Sequence, residues 1–111
     1  MASRRVWPVT EYPLARLDDL PDPGARVVYA GGHAIALFRV DGRVYALDNA
    51  CLHVGGPLAE GFVEDGYVTC PWHEWRYCLA DGTRVGPGGL AVATYPVRIA
   101  AGEVWVMVGD A

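Results

Sequence analysis

Two short runs, Cys51-Leu52-His53 and Cys70-Pro71-Trp72-His73, restrict this chain more than anything else in it. Each offers one thiol and one imidazole, and sixteen residues lie between His53 and Cys70. The chain has three cysteines and three histidines in 111 residues, and two of each fall in these runs. Such a concentration of soft and borderline donors implies a metal site, and a fold that brings two loops together over it. The order of the donors is informative as well. A structural zinc site commonly takes a Cys-Cys pair from one loop and a His-His or second Cys-Cys pair from another. Here each loop offers Cys first and His second. Two loops that meet would then direct two cysteines to one metal atom and two histidines to its neighbour. A single metal ion held by all four side chains is the alternative.

The pattern Cys-x-His, sixteen residues, Cys-Pro-Trp-His resembles the Rieske [2Fe–2S] family, in which two His replace two Cys on one iron. Residues His53-Val54-Gly55-Gly56-Pro57-Leu58 are similar to that family's first cluster loop. Asp81-Gly82 and Gly86-Pro87-Gly88-Gly89 are similar to its hairpin and its third, proline-bearing loop, and the likeness runs from about residue 12 to 108. The resemblance implies one [2Fe–2S] cluster as cofactor, with Cys51 and Cys70 on one iron and His53 and His73 on the other. It also implies an all-β fold of antiparallel sheets: a barrel-like base from about residues 12–49 and 82–109, and a cluster-binding subdomain from about 50–81. Residues 1–11 would be an N-terminal extension of this single domain.

Further residues take expected roles around the cluster. Gly55, Gly56 and Gly88 suit close backbone approach to sulfur or positive φ, and Pro87 marks the third loop. Tyr77 matches a family tyrosine that donates its hydroxyl to a cysteine sulfur. Trp72 and Trp75 flank His73 and would shield the cluster or touch a partner. High-potential members carry a disulfide between the cluster loops, but the matching positions here are Gly56 and Trp72. They also place a serine hydroxyl where this chain has Trp75. Glu74 stands where glycine is frequent, as a solvated carboxylate or as a bias on potential and docking. Cys78 is expected as a buried apolar filler.

Composition limits the rest. One domain of this length can bury a modest core, and 52% apolar with 20% charged residues excludes disorder. Fourteen glycines and eight prolines indicate many turns. Strands are expected at Leu14–Arg16, Arg26–Tyr29, His33–Val40, Arg43–Leu47, Tyr67–Thr69 and Trp75–Leu79. A closing hairpin of Thr94–Ile99 with Glu103–Val108 completes the series. Asp41-Gly42 between two β-prone runs is a strong hairpin signal. His33, at the start of that hairpin, reads as a solvated strand end. The Arg4-Arg5 pair is not followed by an apolar targeting segment, and no stretch has the length of a membrane span.

A formal net charge of −4 disfavours nucleic acid and suits a basic patch on a protein partner. With two of three cysteines assigned to iron, no disulfide framework remains, which implies a reducing, cytoplasmic setting. No base, nucleophile or open metal position indicates catalysis. The resemblance therefore implies an electron-transfer protein rather than an enzyme: a soluble ferredoxin passing single electrons from a flavin reductase to a terminal oxygenase. The alternative is a small subunit bound to a reductase large subunit, as in assimilatory nitrite reductase. A third reading is a single-metal regulatory or structural domain. Without the disulfide and the serine, but with the Tyr77 hydroxyl, the expected reduction potential lies below roughly 0 mV and above the lowest members of the family range.

Overall fold

Apolar residues alternate along short runs bounded by Gly-containing turns, and the chain folds accordingly into antiparallel sheets. A computed structural model describes residues 9–52, 55–72 and 74–109. Among the described residues, helical structure is confined to two three-residue 3-10 turns, Leu17–Asp19 and Leu58–Glu60. The first sheet contains β1 (Val9–Arg16), β9 (Val97–Ala100) and β10 (Glu103–Gly109), in the order β1-β10-β9. The second contains β2 (Gly24–Ala30), β3 (His33–Val40), β4 (Arg43–Asp48) and β8 (Thr94–Tyr95), in chain order. The third, smaller sheet is β5 (Phe62–Glu64), β6 (Tyr67–Thr69) and β7 (Arg76–Cys78).

Strand β3 explains how the parts are joined. Its apolar run Ile35-Ala36-Leu37-Phe38 is continuous, the pattern of a strand covered on both faces, and all four residues are fully buried. Because side chains alternate, Ile35 and Leu37 face one core with Val28, Ala46, Val104, Val106 and Val108. Ala36 and Phe38 face a second core with Leu47, Leu58, Val68, Tyr77, Leu79, Cys51 and Cys70. The first core fills the space between the two larger sheets. The second joins the four-stranded sheet to the segment carrying the candidate ligands. Each large apolar side chain so buried contributes about 1.5–3 kcal/mol, so β3 anchors the candidate site to the rest of the protein.

The hairpins follow their turn chemistry. Asp41-Gly42 and Asp65-Gly66 both adopt positive φ at the two central positions (53° and 81°; 56° and 83°), the conformation that matches the twist of paired strands. Asp22 fixes the first of these turns, accepting from the N–H groups of Asp41 (2.8 Å) and Gly42 (2.7 Å).

Two details depart from expectation. β1 starts at Val9 and pairs along β10, so residues 9–11 belong to a strand rather than to an extension. The strand expected over residues 94–99 is divided: Thr94–Tyr95 pairs with β4, whereas Val97–Ala100 pairs with β10. Pro96 lies at the division. It has no N–H for a ladder, but its carbonyl accepts from Met107 N (3.0 Å), and the chain crosses there from one sheet to the other.

Candidate metal centre

Cys51 and Cys70 occupy the same position in two loops of the same construction. Cys51 N–H donates to Gly56 O (2.9 Å) and Cys51 O accepts from Gly55 N–H (2.7 Å). Cys70 N–H donates to Trp75 O (2.8 Å) and Cys70 O accepts from Glu74 N–H (3.0 Å). Each loop is thus a four-residue hairpin connection opened by a cysteine and closed by a left-handed residue, Gly55 at φ 74° and Glu74 at φ 61°. Both sulfur-bearing residues are buried, at 2% and 0% exposure, in one cluster with Tyr77. His53 and His73, the two imidazoles of the sequence pattern, lie outside the described residues, as does Val54.

Tyr77 is the main polar group of this cluster. It lies at the centre of β7 and is fully buried, because Arg76 and Cys78 on either side point to the opposite face. Its hydroxyl accepts from Leu52 N–H (3.0 Å) and lies 3.2 Å from Cys51 Sγ. With its lone pair engaged by Leu52, the hydroxyl has its proton free to direct at the sulfur. Burial, with the Cys51 hydrogen bond added, pushes the phenol up to about 12, so the proton is retained at neutral pH.

The glycines differ in what they provide. A Cβ on Gly56 would lie 2.8 Å from Cys70 Sγ and 3.2 Å from the Trp72 ring, so a side chain there would push on the sulfur of the other loop. Gly55 has open space around it and is required for its backbone angle. Gly56 and Trp72, the positions that match a disulfide in high-potential members, are in contact, and the indole covers the glycine. Trp72 is itself 59% exposed, and Leu52 on the other loop is 45% exposed.

Trp75 is half-buried against the core that holds both cysteines. Glu74 is exposed. Pro87 and Gly88 lie in an exposed loop, Gly88 at φ 101°, whose described contacts run to Arg84 and Leu90. Cys78 is not the buried filler expected. It is half-buried, and the inward face of its short strand is taken by Tyr77. It opens a third loop of the same kind, with Cys78 N–H to Thr83 O and Gly82 N–H to Cys78 O, both 2.8 Å. His33 is exposed, with its ring edge-on to Tyr95 at 5.9 Å.

Sequence reasoning missed two supports. Asn49 Oδ1 accepts from Ala59 N–H (2.8 Å), while Asn49 N–H donates to Ala34 O (3.0 Å), which ties both ends of the first loop to β3. Arg84 stacks its guanidinium 3.7 Å from the Trp75 ring centroid and donates to Pro87 O (3.3 Å). An Asn two residues before a candidate ligand was a legible signal. Nothing in sequence pairs Arg84 with Trp75.

The described residues suit a group bound through thiolate. Two sulfurs are withdrawn from water, a phenol can donate to one of them, and the absence of a Cβ at Gly56 leaves room beside the other. Protein comparisons agree. Residues 10–96 match the family model described as Rieske [2Fe-2S] domain. The chain is 39% identical over 101 residues to an anthranilate 1,2-dioxygenase ferredoxin subunit of Burkholderia cepacia, covering 88% of this chain and 92% of that one. It is 37% identical over 86 residues to the ferredoxin component of the naphthalene 1,2-dioxygenase/salicylate 5-hydroxylase systems of a Ralstonia species, covering 77% and 83%. Among solved structures, the ferredoxin of carbazole 1,9a-dioxygenase from Nocardioides aromaticivorans superposes with a TM-score of 0.82 at 26% identity, covering 87% of this chain and 96% of that one. The twin cysteine loops, the buried sulfurs and this family match lead to one conclusion: the chain belongs to the Rieske [2Fe–2S] family.

Proposed function

We propose that this protein is a ferredoxin that receives single electrons from a reductase and delivers them to a terminal oxygenase. In this reading Cys51 and Cys70 hold one iron of a [2Fe–2S] cluster and His53 and His73 hold the other. Bound there, the cluster supplies a one-electron couple. The observation that carries the reading is the pair of equivalent hairpin loops that bury Cys51 and Cys70 in one core beside the Tyr77 hydroxyl. The relatives named as ferredoxin components of dioxygenase systems favour a carrier over a reductase small subunit, and a carrier over an enzyme in its own right.

The chain's own residues perform three tasks. Leu58, Val68, Leu79 and Val92 keep water from the thiolates. Tyr77 holds a proton toward Cys51 Sγ, and this bond strengthens as negative charge accumulates on the sulfur. Leu52 and Trp72 present apolar surface beside the ligand loops, where a redox partner can dock and expel solvent. We read the base and the cluster-binding subdomain with the boundaries expected from sequence, except that the base begins at Val9, and β3 forms the wall between their cores. We assign the protein to the cytoplasm: none of the three cysteines forms a disulfide among the described residues, which suits a reducing compartment. No helix among them is long and apolar enough to cross a membrane.

Iron and acid-labile sulfide assays test the assignment directly. Two of each per chain are expected, lost together in Cys51→Ser and Cys70→Ser. A single metal ion per chain with no labile sulfide would overturn it. Reduction by a flavin reductase, followed by reoxidation on mixing with an oxygenase, tests the place in the electron chain.

A further inference from the structure

Arg84 carries a positive charge in an unusual setting. Its guanidinium carbon lies 3.7 Å from the centroid of the Trp75 ring, and Nη1 donates to Pro87 O at 3.3 Å. Gly86 lies close by: a Cβ there would lie 3.5 Å from Arg84 Cζ. Arg84 Nε is withdrawn from water and has no hydrogen-bond partner among the described residues. The ion pairs among those residues are Arg39–Asp22 and Arg98–Glu11, so no carboxylate neutralises Arg84 there. An indole face and a peptide carbonyl hold the cation without cancelling its charge.

Trp75, the ring beneath this cation, packs against the core that contains Cys51, Cys70 and Tyr77, and its carbonyl accepts the Cys70 N–H. The half-buried cation therefore rests on a ring that packs against the thiolate-bearing core, and with its Nε withdrawn from water its charge is screened less than a fully exposed one. By contrast, Arg76 on neighbouring β7 is exposed, 4.9 Å from the Tyr67 ring centroid. Water and salt screen its charge.

We propose that Arg84 is a positioning residue that sets the reduction potential, its unneutralised charge stabilising the reduced form from behind Trp75. The inference rests on the ferredoxin reading and assigns to this chain an electrostatic device additional to the Tyr77 hydrogen bond. Accepting one electron adds one negative charge to the centre, so a fixed cation favours the reduced state and raises the potential. The same residue orders the third loop through Pro87 O, and a merely structural role would end there.

Midpoint potentials of the cluster-loaded wild type, Arg84→Gln, Arg84→Lys and Arg76→Gln, measured by voltammetry at one pH, separate the two roles. Arg84→Gln should lower the potential, Arg84→Lys should stay near wild type, and Arg76→Gln should leave it unmoved. Arg84→Met, which keeps an apolar stem over the indole, replaces the Gln variant if that variant does not load. An unmoved potential in the neutral variant overturns the proposal. So does an equal fall in Arg84→Lys, which would assign the effect to packing, or an equal fall in Arg76→Gln. A wild-type chain without two irons and two sulfides would overturn the ferredoxin reading and this inference with it. A loaded cluster with an unmoved neutral variant removes only the role of Arg84.

Discussion

Replacing Tyr77 by Phe removes one oxygen atom that makes two contacts, while the fully buried ring stays in place. No cavity larger than a hydroxyl is created, so core packing is nearly constant. The stability effect comes from the part-buried Leu52 N–H, which loses its acceptor at 3.0 Å; a lost hydrogen bond of this kind costs about 0.5–1.5 kcal/mol. The redox effect comes from Cys51 Sγ, 3.2 Å from the same oxygen. Once Cys51 is a thiolate, only the phenol can donate in this contact, and a donor bonds more strongly to the more negative, reduced state. A differential of about 1 kcal/mol, typical of one hydrogen bond, corresponds to about 40 mV for a one-electron couple. Tyr77→Phe should therefore lower the midpoint potential by some tens of millivolts, from a wild-type value below roughly 0 mV in the family range. Voltammetry of both proteins at one pH measures this, with iron and sulfide content confirming that each is loaded. An unmoved potential in a fully loaded Tyr77→Phe protein would refute the hydrogen bond as a tuning element. A wild-type value deep in the positive range would refute the assignment to the lower-potential members.

Other outcomes follow from single features of the structure. Glu74 at φ 61° bears a left-handed cost of about 1–2 kcal/mol, offset in Glu74→Gly by about 0.5–1 kcal/mol of glycine chain entropy, so that variant should raise the thermal midpoint by a few degrees; Glu74→Ala should give no such gain, and an equal gain would point to charge instead. Asn49→Ala removes the acceptor of Ala59 N–H and should cost about 1–2 kcal/mol in denaturant unfolding. Tyr77 is raised by burial and by the Cys51 bond, and Tyr95 by burial and by its bond to Asp48. A phenol raised in the folded state adds stability that is complete below its unfolded pKa and is lost as pH rises through the folded one. Denaturant midpoints should thus fall as pH rises from about 10 toward 12, and less steeply in Tyr77→Phe; parallel slopes would show that Tyr77 is not the group responsible.

The larger part of the fold could be read in the sequence because local signals and tertiary packing agree. The apolar run at Ile35–Phe38, the Asp41-Gly42 and Asp65-Gly66 turns and the alternation at Val104, Val106 and Val108 each specify what they form. The division at Pro96 was missed because an apolar, β-prone run reads as one strand whether it serves one sheet or two. Only the pairing of Tyr95 with Ala46 and of Val97 with Val106 separates the cases. In the candidate site, residue types and order pointed to the cysteines, and the family resemblance to Tyr77, whose environment follows from its central place in a three-residue strand. Arg84 was not legible, since a cation resting on an indole nine residues earlier has no sequence period. The outward setting of Cys78 was hidden for the opposite reason: apolar character suggested burial, but the strand had one inward face, and the larger Tyr77 occupies it.

The three cysteines together explain how an ordinary backbone becomes a site. Cys51, Cys70 and Cys78 each open a four-residue hairpin loop with the same pair of backbone bonds, closed by Gly55, Glu74 and Gly82 in the left-handed conformation. These closing bonds do not distinguish them. The first two loops contain a histidine in the sequence, at positions 53 and 73, whereas Leu79-Ala80-Asp81-Gly82 contains none. The first two cysteines are buried and the third is only half-buried. Donor content and burial, rather than the closing backbone bonds, therefore separate the candidate ligand loops from the third. Because the same pair of backbone hydrogen bonds closes all three loops, the cysteines are positioned by the hairpins that carry them. Glu74 is the one closing residue that bears a side chain, and it accepts backbone strain that glycine relieves in the other two loops.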